Sequence, residues 1–254
     1  MSGKTKQKLQ SGQVALGGWI MMGYPSIAEI FAGEGLDWVC VDMEHTSNDI
    51  RIFHEIALAV KGYDCDLFAR LHSCDAVQAK LVLDAGANGI IVPSVNTVEL
   101  AERAVKMAKF PPEGFRGASF ARATDFGRNF ESYYNGHNEN VIVIIMLEHI
   151  DAVKNVDEIL SIDGIDGTLI GPYDLSASMG LAGQLKHPDV EAAQMQLLEA
   201  CKRHNVPAGF HVVPVDSDLL RERIEQGYRF IGCSLDTELL IYSTREMLKG
   251  VKNE

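Results

Sequence analysis

The sequence predicts an α/β protein built as a single (β/α)8 barrel, a TIM barrel, over residues 1–254. Three observations point there. Short apolar runs alternate with amphipathic segments along the whole chain, and eight such runs can be counted. Most of the runs are apolar throughout, as parallel strands buried on both faces require. The length of 254 residues matches the roughly 250 of one eight-fold barrel. An open doubly wound sheet is the competing architecture, but no GxGxxG follows the first run.

Taken in order, the strand candidates are 14–21, 38–42, 67–71, 89–95, 141–147, 168–171, 208–213 and 230–235. The segments between them carry helix start signals: Ser26, Asn48 with Asp49, Asp75, Thr97, and Asp216 with Ser217 each precede a periodic apolar stretch. Gly35, Gly86 and Gly227 stand where those helices should stop. One connection departs from this rhythm. Residues 111–140 are rich in glycine, arginine and aromatics, and a stretch of that length without regular structure is expected to be an ordered active-site loop.

Composition narrows the function classes. The net charge of −12, with no basic stripe, argues against a nucleic-acid partner. No apolar run approaches the ~18 residues of a membrane span. The polar, lysine-rich start at 1–11 does not read as a secretory signal. Five scattered cysteines with no CxxC pair suit a reduced, cytoplasmic setting. On so acidic a chain, an anionic substrate needs a few placed cations or a metal.

In such barrels chemistry gathers where the strands end. Asp42, Glu44 and His45 follow the second run, Arg70 ends the third, Glu148 follows the fifth and Asp174 lies just beyond the sixth. His211 sits within the seventh, and Asp236 follows the eighth. A carboxylate at the end of the apolar run before Glu148 must be neutralised or find a cation, either a metal or Arg70. Asp174, in "GPYDLSASMG", is either a helix N-cap or a second carboxylate for an oxygen-liking Mg2+ or Mn2+. No HxH, CxxC or HExxH spacing supports a closed zinc site. Asp42 and His45, three apart, could form an oriented acid/base pair. Arg70 could clamp a substrate carboxylate, or pair with Glu148. The other histidines, at 54, 72, 137, 149, 187 and 204, show no partner pattern.

These residues and their order resemble the HpcH/HpaI aldolase family, the metal-dependent class II pyruvate aldolases. The resemblance runs from about Gly17 to Leu240 and rests on "VDMEH", "ARLH", "LDAGANGIIVPSVNTVELAERAVKMAKFPPEGFRG", "LEHIDAVKNVDEIL" and "IDGIDGTLIGPYDLSASMG". It implies a phosphoenolpyruvate/pyruvate-type barrel that cleaves a 4-hydroxy-2-oxo acid reversibly into pyruvate and an aldehyde. It implies that Glu148 and Asp174 hold Mg2+, Mn2+ or Co2+, that Arg70 stabilises the enolate oxygen, and that His45 with Asp42 moves protons. Gly171, Pro172, Tyr173 and Asp174, with Thr124, are expected near the keto-acid carboxylate. A homohexamer, a trimer of dimers exchanging the last helix at 237–252, is also implied. A second reading within the same architecture is a metal-enolate decarboxylase or a synthase acting on oxaloacetate, resembling macrophomate synthase.

The electron sink that aldol cleavage needs is either a Schiff-base lysine or a metal. Lys61, Lys80, Lys106, Lys109 and Lys202 fall on helices or their ends, none of them at a strand end, which favours the metal. The chain departs from the family pattern twice. Met146 stands where many relatives carry glutamine, and His211 stands in a slot that is commonly apolar. His211 could be an acid/base, a contact to a polar substrate group, or inert.

Overall fold

The computed structural model describes residues 3–251. Eight parallel strands close on themselves in chain order. The chain opens with α1 (Lys4–Gln10) and then alternates: β1 (Ala15–Ile20), α2 (Pro25–Gly33), β2 (Trp38–Asp42), α3 (Ile50–Ala59), β3 (Asp66–Arg70), α4 (Ala76–Ala85), β4 (Gly89–Val92) and α5 (Val98–Ala108). After a 3-10 turn at Arg122–Gly127 come α6 (Phe130–Asn140), β5 (Ile142–Leu147), α7 (Ile150–Lys154), α8 (Val156–Leu160), β6 (Gly167–Ile170) and α9 (Pro172–Ser178). The chain finishes with α10 (Pro188–Arg203), β7 (Gly209–Val212), α11 (Ser217–Gln226), β8 (Phe230–Leu235) and α12 (Asp236–Leu248).

Most strand bounds fall within a residue or two of those expected; β4 is shorter, ending at Val92. Asp49, Asp75, Thr97 and Asp216 each accept a backbone N–H of the helix they precede, satisfying one of its orphan donors. Ser26 does not: α2 begins one residue earlier, at Pro25, whose fixed φ suits a first helical position.

Two apolar layers hold the barrel. One lies between sheet and helices, and the other fills the interior. The interior is aromatic. The Trp38 and Phe230 rings stack at 4.2 Å, and Trp19 meets Trp38 edge-on at 6.3 Å. Gly17 makes room, because a Cβ there would come within 1.9 Å of the Trp38 ring.

The N-terminal ends of the strands are plugged by α1, an element not expected from the sequence. Lys6 Nζ donates to the Val141 carbonyl (2.9 Å) and pairs with Asp166 (3.0 Å), while the Thr5 amide donates to Asp66 (2.7 Å). Lys4 and Lys8 both reach Asp37.

The segment 111–140 differs from the expectation in two ways. Its second half is α6 rather than irregular loop, and the segment covers the end of the barrel away from the strand C-termini. The Arg122 guanidinium donates to the carbonyls of Ala57 and Ala85, at the C-terminal ends of α3 and α4. In a β/α unit those helix ends flank the strand starts. His137, which shows no partner pattern in the sequence, lies between Arg116 (2.7 Å) and the Ala108 carbonyl (2.8 Å), and burial beside that guanidinium lowers its pKa to about 4.

The final helix, α12, buries only Asp236 among its residues, and leaves Leu240, Ile241, Tyr242 and Met247 exposed. Lys252, the last residue of the expected helix, lies outside the described residues.

Candidate active site

The eight parallel strands all end at one rim of the barrel, and there the charged residues meet. Asp42 ends β2 with no exposed surface. Its Oδ1 accepts the amides of Glu44 (2.9 Å) and His45 (3.1 Å) and the Arg70 Nε (3.2 Å); its Oδ2 accepts Trp19 Nε1 (3.2 Å) and Arg70 Nη2. Burial alone would raise the Asp42 pKa, but Arg70 and these amide and indole donors outweigh it and hold it below the usual carboxylate range. Arg70 in turn has its pKa raised, since Asp42 and Glu44 more than offset the cost of burying a guanidinium.

Glu148 follows β5 and is 6% exposed. Oε1 accepts the Ser94 amide (2.7 Å) and hydroxyl (3.3 Å), the backbone of Ser94 being held in the left-handed region at φ 54°. Oε2 faces Gly171, where a Cβ would lie 2.8 Å away. Burial raises the Glu148 pKa, and the negative charges of Glu44 and Asp174 raise it further, against the Ser94 amide and Arg70. Glu44 is raised too, first by burial, with Asp42 and Asp174 adding to it.

Two adjoining hollows open at this rim and share His45 and Asp174. One, of about 270 Å³, is lined by Glu44, Ser94, Asn96 and Glu148 as well. The other, of about 200 Å³, runs past Arg70, Gly171 and Tyr173 to Trp19 and His211. A larger hollow of about 460 Å³ lies beside α1 at the opposite end, but the acid that lines it, Asp166, is already paired with Lys6.

The charge at the rim is unbalanced. Arg70 is committed to Asp42 and Glu44, and no ion pair among the described residues reaches Glu148 or Asp174. Asn96 Oδ1, on the wall of the same hollow, is buried without a donor among the described residues. Oxygen-only groups with a surplus of negative charge suit a hard divalent cation. The described residues hold no cluster of three or more His, Cys, Asp or Glu placed to ligate one. Two protein carboxylates would therefore leave positions for water and substrate oxygens.

The profile of the HpcH/HpaI aldolase/citrate lyase family matches residues 16–243. The chain belongs to this family. It is 33% identical, over 93% of its own length and 92% of the relative's, to a hydroxypyruvate/pyruvate aldolase of Roseobacter denitrificans. It is likewise 33% identical to a 5-keto-4-deoxy-D-glucarate aldolase of Shigella sonnei, over 98% of this chain and 96% of that one. A solved HpcH/HpaI aldolase/citrate lyase family protein from Burkholderia cenocepacia J2315 superposes with a TM-score of 0.94 at 34% identity, covering 99% of this chain and 100% of that one.

On this HpcH/HpaI scaffold most of the expected residues converge. Asp42, His45, Arg70, Gly171, Pro172, Tyr173, Asp174 and His211 line one hollow, and Glu148 lines the other with Asp174. Two details differ, and one open choice is decided. Asp42 holds the His45 amide rather than the imidazole; the carboxylate beside the ring is Glu44, with His45 Nε2 to Glu44 Oε2 at 3.6 Å. Asp174 is not a cap, for Gly171 holds the cap position of α9 and Asp174 falls in its first turn. Thr124 is absent from the rim. It is buried in the 3-10 turn at the opposite end, its hydroxyl turned to the Ser119 and Ala121 carbonyls.

Sequence reasoning missed Trp19, Ser94 and Asn96. Trp19 could have been found from its place in a barrel strand, since a buried indole N–H seeks an acceptor. Ser94 acts through its backbone amide, and side-chain identity carries no signal of that.

Proposed function

We propose that this chain is a class II pyruvate aldolase that cleaves a 4-hydroxy-2-oxo acid to pyruvate and an aldehyde, reversibly, with Glu148 and Asp174 holding a divalent Mg2+, Mn2+ or Co2+. The observation that carries the reading is the Glu148 carboxylate, buried beside Glu44 and Asp174 with no ion-pair partner among the described residues while Arg70 is engaged with Asp42 and Glu44. Burial first, and those two charges next, raise its pKa. When bound, a divalent cation there supplies Lewis-acid polarisation of the keto oxygen.

The chain's own residues do the rest. Arg70 spends up to three of its five N–H groups on Asp42 and Glu44, leaving donors for the oxygen that gains charge as the enolate forms. Gly171 and the first turn of α9 offer backbone amides to the keto-acid carboxylate, and the missing Cβ at Gly171 lets them approach Glu148. His45, with 59% of its side chain exposed at the mouth, takes the C4 hydroxyl proton as the C3–C4 bond breaks. The electrons of that bond pass into the keto group, the aldehyde leaves, and a proton returned to C3 gives pyruvate.

The exposed apolar side chains of α12 support an assembly in which this helix packs on a neighbouring copy, as in a homohexamer with exchanged last helices. No helix of the described residues is long and apolar enough to cross a membrane.

Incubation with pyruvate and a panel of aldehydes, with EDTA and then with added Mn2+, tests the function. Aldol adduct that disappears with EDTA and returns with Mn2+ is expected. Release of CO2 from oxaloacetate with no adduct from any aldehyde would replace this reading with a decarboxylase.

A further inference from the structure

His211 occupies a place prepared for an imidazole. It is the inward-facing residue of β7, stacked on Trp19 with ring centroids 4.6 Å apart and planes at 23°. Its Nε2 lies 3.0 Å from the Ser234 carbonyl, which can only accept, so Nε2 carries the hydrogen. Gly232, across on β8, leaves the space: a Cβ there would stand 2.7 Å from His211 Cδ2. The Nε2–Cδ2 edge therefore faces β8, and one ring face is covered by Trp19. What remains is the Nδ1–Cε1 edge and the second ring face, and His211 lines the smaller hollow of the rim. No hydrogen-bond partner of Nδ1 is found among the described residues.

Met146, Leu169, Val213 and Leu235 line the same hollow, together with Asp42, His45, Arg70 and Asp174. Burial, with Arg70 nearby, lowers the His211 pKa to about 4, so the ring is neutral at physiological pH. A neutral imidazole whose Nε2–H is engaged presents a lone pair and nothing else.

We propose that His211 is a specificity-determining residue whose Nδ1 accepts a hydrogen bond from a substrate hydroxyl on a carbon at, or next to, the bond being formed or broken. This assignment rests on the aldolase reading. A hydroxyl has the proton that Nδ1 needs, whereas a carboxylate has none to give and would set its charge against the lone pair. The hydroxyl could come from either partner in the aldol reaction, from C3 of a hydroxylated keto acid or from the α-carbon of a hydroxyaldehyde. In both cases the site favours a small, neutral, hydroxylated group over its deoxy or carboxylated counterpart.

Two substrate pairs separate the sources, each measured with the Mn2+-loaded enzyme: hydroxypyruvate against pyruvate with acetaldehyde, and glycolaldehyde against acetaldehyde with pyruvate. Glyoxylate serves as the carboxylated aldehyde. The quantity read is the ratio of kcat/KM within a pair, so the amount of folded protein cancels. Replacing the acceptor in His211→Leu, or in His211→Phe, which keeps a ring on Trp19, is expected to cut the hydroxyl preference in one pair by roughly tenfold or more. His211→Asn, which restores an acceptor close to Nδ1, is expected to recover part of it. Ratios unchanged in both pairs, for both apolar variants, would overturn the assignment. Failure of the unaltered enzyme to exchange the pyruvate C3 protons with solvent deuterium would instead overturn the aldolase reading beneath it.

Discussion

Gly171 approaches Glu148 so closely that a methyl group on it would stand 2.8 Å from both the Glu148 Cβ and Oε2. One glycine thus allows the start of α9, which carries Asp174, to close against the end of β5, which carries Glu148. Both carboxylates line the same hollow.

Gly171→Ala is therefore expected to displace Glu148 and weaken Mn2+ binding by roughly 10–100-fold, as loss of a supporting contact at a metal site does. Titration with Mn2+ followed by electron paramagnetic resonance measures it. An unchanged affinity would show that the close approach is incidental.

Asp42→Asn removes the charge that buried Arg70 was paired with, leaving Glu44 as its remaining partner. A loss of about 3 kcal/mol in unfolding free energy at pH 7 is expected, the low end for breaking a buried pair, with a fall in kcat/KM as Arg70 reorients. The pH dependence follows from the sign of the shift. The folded Asp42 pKa lies below its unfolded value of about 3.9, so its contribution is complete above about pH 4 and fades as pH falls through the folded pKa. The difference in urea midpoint between the two proteins should accordingly shrink on acidification below about pH 4.

At the far end of the barrel, Lys6→Met would strip Asp166 of its cation and leave the Val141 carbonyl without its donor. We expect a loss of about 3 kcal/mol in stability, with kcat and KM of the folded enzyme little altered because the rim lies at the other end. Urea unfolding and steady-state kinetics on one preparation separate the two effects.

These variants also mark what could be read from the sequence. The strands were legible because residues such as 142–147 must be apolar on both faces whatever surrounds them. The rim acids were legible because a charge directly after such a run has few places to go. α1 was not, since Leu9 is the one apolar residue on its buried side, and the burial of Thr5 and Lys6 beside it depends on Asp66 and Asp166, distant in sequence. α6 was not either: His137 is its one buried residue among those described, so no apolar period marks it as a helix. At the site, the partner of Arg70 turned on the angle between the neighbouring ends of β2 and β3, and the carboxylate beside His45 on the local turn after β2, neither of which spacing alone encodes.

Glu148→Gln and Asp174→Asn each keep the size and shape of the side chain while removing one of the two charges. Mn2+ binding in the presence of pyruvate, read by electron paramagnetic resonance on the unaltered chain and on both variants, bears most directly on the account. One ion per chain in the unaltered protein, with affinity lowered by about 100-fold or more in each variant, is the predicted result. Undiminished binding in both variants would place the cation elsewhere and contradict it.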